Sequence, residues 1–323
     1  VYTYTGAIFS TPDSRFEKFD FDDLEEKPLD VTSTESWIGN MQHYFVAALV
    51  PPPENPYKYY SKVLDQNTYT VGFVSPENTI NPGETVVLKT KIYAGPKKQS
   101  ILKRLAPGLD LSVDYGMLWF LAKPLFIILQ GINSVIGNWG WAIVLLTIFI
   151  KLLFYPLSAA GYRSMAKLRT VHPKMIALKE RHGDDKAQLN QAMMKLYKDE
   201  KINPLGGCFP ILIQIPVFIA LYWVLLETVE IRQAPFIFWI NDLSSKDPFF
   251  VLPLLMGISM WVQQRLNPAP VDPVQAKVMQ FLPIIFTVFF AFFPSGLVLY
   301  WVVNNVLSIA QQWRITSQIE KAK

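Results

Sequence analysis

The sequence has 323 residues, of which 51% are hydrophobic and 17% charged, with a formal net charge of +4. It is richer in apolar residues than typical soluble domains, which indicates a membrane protein. A single Cys excludes a disulfide framework. No group of Cys, His, Asp and Glu has metal-ligand spacing, so we predict no metal and no cofactor.

Residues 1–108 predict an all-β domain. Side chains alternate between apolar and polar in residues 43–50, 69–74 and 85–93, the period of half-buried strands. A short basic helix follows at residues 97–105. No nucleophile or carboxylate pair stands out in these residues. The domain is therefore either functional in a way that the sequence does not show or simply a soluble domain that precedes the membrane region. Because the sequence begins at Val1 inside an apparent strand, we expect a targeting or anchor helix upstream.

Residues 109–136 predict an amphipathic helix. One face is apolar, but Lys123-Pro124 and Gln130-Gly131 interrupt the segment. We therefore predict that it lies in the outer interface of the membrane rather than crossing it.

Residues 137–314 predict a membrane core, followed by a tail at 315–323. A spanning helix needs about 20 apolar residues, and only the first two candidates approach that length. The short candidates at residues 249–262 and 278–293 predict a thinned bilayer or a groove beside them. A tight turn at residues 293–296 predicts that the last two form a hairpin with an external tip. The five candidate spans are residues 139–157, 205–226, 249–262, 278–293 and 296–310.

The loop charges predict the topology. Residues 163–201 carry 10 basic and 5 acidic residues, and residues 265–277 and the tail are also basic, whereas residues 227–247 are acidic. Since positive loops stay in the cytoplasm, the β domain is external and the C-terminus cytoplasmic. With an upstream anchor, the intact protein would have six spans.

Lys151 is the most informative residue of the predicted spans. It is surrounded by apolar residues, and a charge at this depth is costly unless it meets water or a partner. Snorkelling toward the headgroups is the simpler alternative. No acidic residue lies within the predicted spans, which favours a water-filled groove, with Thr147 one turn earlier on the same wall.

Further polar residues are predicted in the cytoplasmic halves or middles of the spans. Each is more often a contact between helices. Together with Lys151 they predict a groove that is open to the cytoplasm and sealed outside. They are Gln214, Gln280, Thr287, Asn304, Asn305 and Ser308.

Residues 163–201 predict a helical hairpin, because apolar residues recur at helical spacing on both sides of a turn at 183–185. Pro173 is expected to kink the first arm. The basic face is either simply solvated or a docking surface for a nascent chain, anionic lipid or ribosomal RNA. Its cations include Arg163, Lys167, Lys174 and Lys179.

Three motifs resemble the YidC membrane insertase family in order and spacing. They are YPLS at residues 155–158 running into YRSMAK at 162–167, NPLGGCFPILIQIP at 203–216, and FPSGLVLYW at 293–301. The external segment with GAIFS at residues 6–10 resembles the periplasmic β-sandwich of Gram-negative members. The resemblance implies an α-helical membrane bundle with an external all-β sandwich domain.

The resemblance also implies a function, a site and partners. Lys151 occupies the place of the groove cation, usually Arg, and Trp301 that of an aromatic residue, often Tyr; a lysine lacks the guanidinium fork. The implied partners are nascent membrane proteins, the Sec translocon, the ribosome and membrane phospholipids, not DNA. The location is the bacterial inner membrane. A hydrophobic slide for the arriving helix would include Phe218, Tyr222, Phe286 and Phe290.

Two other functional classes fit less well. A secondary transporter needs coupled ionisable pairs in its spans, and an enzyme needs a nucleophile and base at one depth. His43, His172 and His182 lie outside the predicted spans. We therefore predict a membrane insertase without enzymatic activity.

Overall fold

The computed structural model describes residues 3–65, 68–183, 185–200, 209–267 and 273–321. The chain divides into two units. The first comprises Val1–Tyr115 with Glu227–Glu230, and the second Gly116–Leu226 with Ile231–Lys323.

The first unit is a β-sandwich of two antiparallel sheets. The larger sheet has the order β2-β1-β4-β5-β8 and the smaller one the order β3-β6-β7. A short helix, α1 (Phe21–Glu26), follows β2, and α2 (Gln99–Leu105) follows β8. The strands are β1 (Gly6–Ser10), β2 (Glu17–Phe19), β3 (Asp30–Ser33), β4 (Trp37–Met41), β5 (Phe45–Val50), β6 (Tyr57–Asp65), β7 (Thr68–Val74) and β8 (Lys91–Pro96).

Neighbouring side chains along a strand of the larger sheet point to opposite faces. One face packs against α2 and the other against the smaller sheet. Ile8 and Trp37 pack against Leu102 of α2, whereas Phe9 and Ile38 pack in a second cluster with residues of the smaller sheet. This explains why all five residues of β1 are buried. The sandwich predicted from the family resemblance is confirmed.

The predicted strand at residues 85–93 is mostly wrong. The chain has no strand between β7 and β8, and Val87 and Leu88 are about 70% exposed. Only Lys91–Pro96 pairs, with β5. An alternating apolar pattern forms a strand only where a neighbouring strand accepts its backbone hydrogen bonds.

A buried ion pair lies within the first unit. Lys97, 2% exposed, approaches Glu227 at 3.4 Å and donates to the Ser112 carbonyl at 3.1 Å. Burial lowers the pKa of Lys97, and attraction to Glu227 partly offsets that shift. His43 Nε2 lies 3.8 Å from the other oxygen of Glu227.

The second unit is helical. Most predicted segments form helices, but with shifted ends. The helices are α3 (Trp119–Ile136), α4 (Trp139–Leu153), α5 (Tyr155–His182), α6 (Lys186–Asp199), α7 (Phe209–Glu227), α8 (Val251–Leu266), α9 (Pro273–Phe290) and α10 (Ser295–Lys321).

The predicted boundaries of four helices need correction, including the last, because α10 extends from Ser295 to Lys321 instead of ending at residue 310. The first span was expected to run to residue 157, but α4 ends at Leu153 and α5 leaves at a bend of 68°. The short spans are longer than predicted, since α8 has 16 residues and α9 has 18. At about 1.5 Å per residue they reach about 24 and 27 Å, so the expected shortfall against the bilayer is smaller. Residues 205–208 of the second predicted span lie outside the described residues.

One helix of the described ranges is long and apolar enough to cross a membrane by itself. It is Gly116–Ile136, whose position in the outer interface stays a prediction. Helices α4 and α5 pass the same criterion when counted as one bent span, and Leu212–Glu227 and Val274–Phe290 are shorter apolar helices.

The loop between α7 and α8 is held by specific hydrogen bonds. Asp247 accepts from the backbone N–H groups of Phe249 and Leu252 at the start of α8 and from the indole of Trp239. The turn before α10 is hydrogen-bonded to the same loop: the backbone N–H of Ser295 donates to the carbonyl of Ser245. The predicted tight turn at residues 293–296 is therefore braced by a segment that sequence analysis treated only as an acidic loop.

Candidate functional site

A cavity of about 400 Å³ lies among five helices of the second unit, α5, α7, α8, α9 and α10. Its described lining contains carboxamides, a hydroxyl and a phenol beside apolar groups, and none of these residues is charged. The polar lining residues are Tyr162, Gln214, Gln263, Gln264, Asn267, Asn304, Asn305, Ser308 and Gln312.

Helix α10 supplies one polar stripe of this lining. Trp301, Asn304, Ser308 and Gln312 recur at intervals of three or four residues, which places them on the same face. Asn305 beside them donates to Ser259 Oγ of α8 at 3.0 Å. Gln312 Nε2 donates to Asn267 Oδ1 just beyond α8 at 2.8 Å. These bonds fix the stripe against α8.

Lys151 borders this cavity without lining it. Its Nζ donates to Ser308 Oγ at 2.7 Å, and Ser308 Oγ in turn donates to the Asn304 carbonyl at 2.7 Å. The ammonium lines a separate pocket of about 20 Å³, which shares Gln214 and Asn304 with the larger cavity. The cation thus orients a hydroxyl at the cavity wall.

Thr147 does not line either space. It is 1% exposed, and its hydroxyl donates to the Ile143 carbonyl one turn earlier on α4. Because the hydroxyl is used within its own helix, the predicted contribution of Thr147 to the groove wall does not occur in this arrangement.

The other predicted polar residues divide into two groups. Gln214, Asn304, Asn305 and Ser308 line the cavity, as does Trp301, and their part in a substrate groove stays a prediction. Gln280 is exposed and does not line it, and the Thr287 hydroxyl donates to the Pro283 carbonyl within α9. Placement by depth along a helix cannot distinguish these faces, because neighbouring residues differ by about 100° around the axis.

The predicted slide residues form an aromatic cluster rather than a uniform outer surface. Phe218 contacts Phe290 and Trp301, with ring centroids 6.1 and 4.8 Å apart, while Phe286 stacks on Phe290. Tyr222 contacts Phe293. Phe290 is only 3% exposed, so it is not available to a sliding helix in this arrangement. The outward apolar residues of α7 and α9 include Ile215, Ile219, Phe281, Ile285, Val288 and Phe289.

The predicted helical hairpin forms from α5 and α6. Val171 and Met175 are buried against Met193, Leu196 and their neighbours. Asp185 caps α6 by accepting from two backbone N–H groups, as the sequence predicts, whereas Asp184 and Lys201 lie outside the described residues. Helix α5 continues through Pro173. Of the predicted cations, Arg163, Lys167 and Lys174 are exposed and Lys179 is half-buried.

Several cavity residues were missed by sequence analysis. Gln263, Gln264 and Asn267 were assigned to a loop because the predicted span stopped at residue 262, and Gln312 lay beyond the predicted end of the last span. The available signal was the helical spacing from Ser308 to Gln312, which continues the polar face of α10.

Comparisons with known proteins match the two units to two family descriptions. Residues 131–322 match the family described as 60Kd inner membrane protein, and residues 1–128 match the YidC periplasmic domain. The first match covers more than half of the chain.

Similar curated proteins carry the name membrane protein insertase YidC. Those of Methylococcus capsulatus and Thioalkalivibrio sulfidiphilus are 56% and 59% identical over 99% and 100% of this chain. The chain spans 59% and 58% of their lengths. A crystal structure of an active YidC insertase, with its first transmembrane domain resolved, matches with a TM-score of 0.53 at 23% identity. That match covers 88% of this chain and 78% of the other and supports the fold.

Proposed function

The chain belongs to the YidC membrane insertase family, and from this we propose that it moves nascent membrane proteins into the bacterial inner membrane. The observation that carries the proposal is the cavity beside Lys151, which lies among helices with apolar outer faces and has a mostly apolar lining with several uncharged polar groups. Such a cavity lowers the cost of burying a polar segment, because its carboxamides replace water as hydrogen-bond partners.

In the proposed mechanism, the polar tail of a client enters this cavity from the cytoplasm while its hydrophobic segment partitions into lipid along α7 and α9. Burial of apolar area at about 25 cal/mol per Å² supplies tens of kcal/mol for a whole span. No nucleotide and no catalytic step are needed, and the chain acts alone or with the Sec translocon.

Lys151 has two roles in this proposal. Its charge attracts acidic tails, and its hydrogen bond holds Ser308 at the cavity wall. The first role needs only a point charge, whereas the second needs an N–H donor at the same place. Arginine can fill both roles and alanine neither.

The proposed arrangement in the membrane follows the loop charges. The sandwich lies in the periplasm, the chain crosses several times, and the C-terminus and the hairpin of α5 and α6 lie in the cytoplasm. The exposed cations Arg163, Lys167 and Lys174 support contacts of the hairpin with the ribosome, with anionic phospholipid or with the client.

Reconstitution in liposomes tests the function. We expect the protein to insert a single-span substrate without ATP, measured by protease protection. Lys151→Ala should reduce insertion of substrates with acidic tails more than Lys151→Arg does. Lys321→Ala, which removes an exposed cation at the end of α10, is the matched control. Flux of small solutes without insertion would overturn the proposed function, and equal activity of both Lys151 variants and the unaltered protein would overturn the role of Lys151.

A further inference from the structure

We propose that the loop between α7 and α8 is a membrane anchor whose aromatic side chains insert into the headgroup region of the external leaflet. The anchor comprises residues 231–250, which we call the outer loop. This inference rests on the proposed function, whose membrane arrangement places the loop outside. It assigns the loop a ligand, which is the phospholipid surface, and a task, which is to fix the depth of the helix ends bonded to it.

The outer loop exposes large apolar side chains. Phe238 is 85% exposed, and Phe249 and Phe250 are 68% and 45% exposed. Other apolar residues of the loop, Ile240 and Leu243, are buried beneath it. The exposed rings therefore contribute little to the packing of the loop, and a cluster of exposed apolar groups marks a surface that binds something.

The backbone at two of these rings is in the left-handed conformation. The φ angle is 54° at Phe238 and 55° at Phe250. This region favours glycine, and a bulky residue is uncommon there. A glycine at either position would relieve the strain but would remove the ring. The strain thus points to a use for the exposed side chains, because the backbone alone would be better served by glycine.

The aromatic patch continues into the apolar outer face of a helix. Phe250 immediately precedes α8, and Leu254, Ile258 and Trp261 follow at helical spacing, all of them exposed. In a membrane insertase family such an outward apolar face meets lipid. Aromatic side chains concentrate where the hydrocarbon meets the headgroups. A patch at the outer end of this face therefore lies at the level of the external headgroups.

The charges of the outer loop suit an anionic phospholipid surface. Its two acidic residues turn inward: Asp247 is 1% exposed, and Asp242 accepts hydrogen bonds from Ser244 within the loop. Its two basic residues, Arg232 and Lys246, are exposed. Cations near a bilayer surface are attracted to anionic headgroups. The surface that the loop presents is thus basic and aromatic, although its sequence contains both signs of charge.

Hydrogen bonds connect the outer loop to the ends of three helices. Asp247 accepts from backbone N–H groups at the start of α8. At the start of α10, the N–H of Gly296 donates to the Leu243 carbonyl at 2.9 Å. Asn138, which caps α4, donates through Nδ2 to the Phe236 carbonyl at 3.2 Å. An anchored loop therefore fixes the depth of the outer ends of α4, α8 and α10.

The anchor determines where the short helix α8 fails to match the bilayer. Its 16 residues reach about 24 Å, against about 30 Å of hydrocarbon. With the outer end held at the external headgroups, the whole shortfall falls at the cytoplasmic end. The bilayer is then thinned on the side from which the client arrives.

Spin labels measure the depth of the loop. One label is attached to Phe238→Cys and a control label to Val87→Cys, each in a chain whose single cysteine is replaced by Cys208→Ser. Val87 is an apolar residue of the sandwich unit and is 70% exposed. Each full chain is reconstituted in phosphatidylethanolamine–phosphatidylglycerol liposomes. Collisions of the label with O2, which concentrates in hydrocarbon, are compared with collisions with a nickel chelate, which stays in water. We expect the ratio of O2 to nickel collisions to be severalfold higher for Phe238→Cys than for Val87→Cys.

A second pair of variants tests the rigidity of the anchor. Trp239 stacks on Phe238 with ring centroids 5.9 Å apart, and its indole donates to Asp247. Asp247→Ala removes this acceptor, so the label of Phe238→Cys should become more mobile and its collision ratio should fall. Asn241→Ala, at an exposed polar residue of the same loop, is the matched control and should leave both unchanged. An unchanged spectrum in Asp247→Ala would overturn the rigid anchor.

The outcomes of the depth measurement are distinct. Equal ratios for Phe238→Cys and Val87→Cys would overturn the anchor. Exclusion of both reagents from the label of Phe238→Cys would show that a protein covers the patch and would overturn the lipid assignment. The measurement needs no client. A protein with the expected ratio that inserts no substrate would therefore lose the proposed function and keep the anchor.

Discussion

Each of the two units buries the indole nitrogen of a tryptophan, but only one of these nitrogens has a hydrogen-bond partner among the described residues. In the sandwich, Trp37 is 1% exposed and its Nε1 donates to the Pro107 carbonyl at 2.8 Å. In the helical unit, Trp301 Nε1 is buried beside a cavity and has no partner among the described residues. The first tryptophan donates within a core, whereas the second keeps a buried donor that has no partner among the described residues.

This difference separates the polar groups that are fully used within the fold from those that keep unused hydrogen-bonding capacity. In the sandwich, the hydroxyl of Tyr59 donates to the Ser36 carbonyl, and Lys97 is held by Glu227 and Ser112. In the helical unit, Gln312 donates through its amide nitrogen, and its oxygen has no partner among the residues that the structure describes. Mutations should therefore cost stability in one unit and activity in the other.

The largest expected effect is in the sandwich. Lys97→Met leaves the buried Glu227 carboxylate without its cation and should destabilise this unit by about 3–5 kcal/mol. Hydrogen–deuterium exchange of the strands, measured by mass spectrometry in detergent, reports this loss. Adding Glu227→Gln should restore much of the stability. A small effect of Lys97→Met alone would show that the ion pair is not part of the fold.

A matched pair of tryptophan variants sharpens the comparison directly. Trp37→Phe loses a hydrogen bond and leaves a small void, so we expect a cost of about 2 kcal/mol. Trp301→Phe also leaves a void, beside Phe218, but loses no hydrogen bond among the described residues, so it should lower the melting temperature less than Trp37→Phe does. Because Trp301 lines the cavity, the change should also reduce insertion. Thermal unfolding and insertion assays on both proteins measure this. Equal destabilisation by the two changes would contradict the distinction.

A tight helix contact gives a smaller effect within the helical unit. A Cβ added at Gly257 of α8 would lie 2.0 Å from Thr287 Oγ1 of α9. Gly257→Ala should therefore destabilise the protein by about 1–2 kcal/mol through overpacking. The double variant with Thr287→Ala removes the colliding oxygen and should recover most of the melting temperature. No recovery would mean that the α9 backbone, whose Pro283 carbonyl oxygen lies 3.6 Å from the added Cβ, is the obstacle.

The smallest effect is expected at the hairpin surface. Lys174 and Glu200 form an ion pair whose lysine side chain is 63% exposed. Because exposed pairs contribute little, Lys174→Ala should change stability by less than about 1 kcal/mol. Any loss of insertion by this variant would then report binding by the hairpin, and the melting temperature provides the control. A large drop in that temperature would contradict a purely functional surface.

The sequence predicted the elements better than the faces they present. Alternating patterns, loop charge and helical spacing located the β-rich domain, the hairpin and most helices, since these depend on local patterns, whereas the sandwich form of the domain came from the family resemblance. The sequence did not reveal that Thr147 turns back to its own helix or that Phe290 is buried. Both depend on helix rotation, which packing against neighbours decides. The cavity residues Gln263 and Asn267 were missed because the end of an apolar segment does not mark the end of α8.

The bend between α4 and α5 directs the long helix α5 away from the axis of α4. The two helices meet at 68° around Phe154, three residues after Lys151. Helix α5 has 28 residues, so its far end lies about 42 Å from the bend, and a rotation of about 10° would carry that end by about 7 Å. For a rigid arm that pivots at this bend, a displacement of several ångströms at the tip of the hairpin corresponds to a much smaller one beside Lys151, close to the pivot.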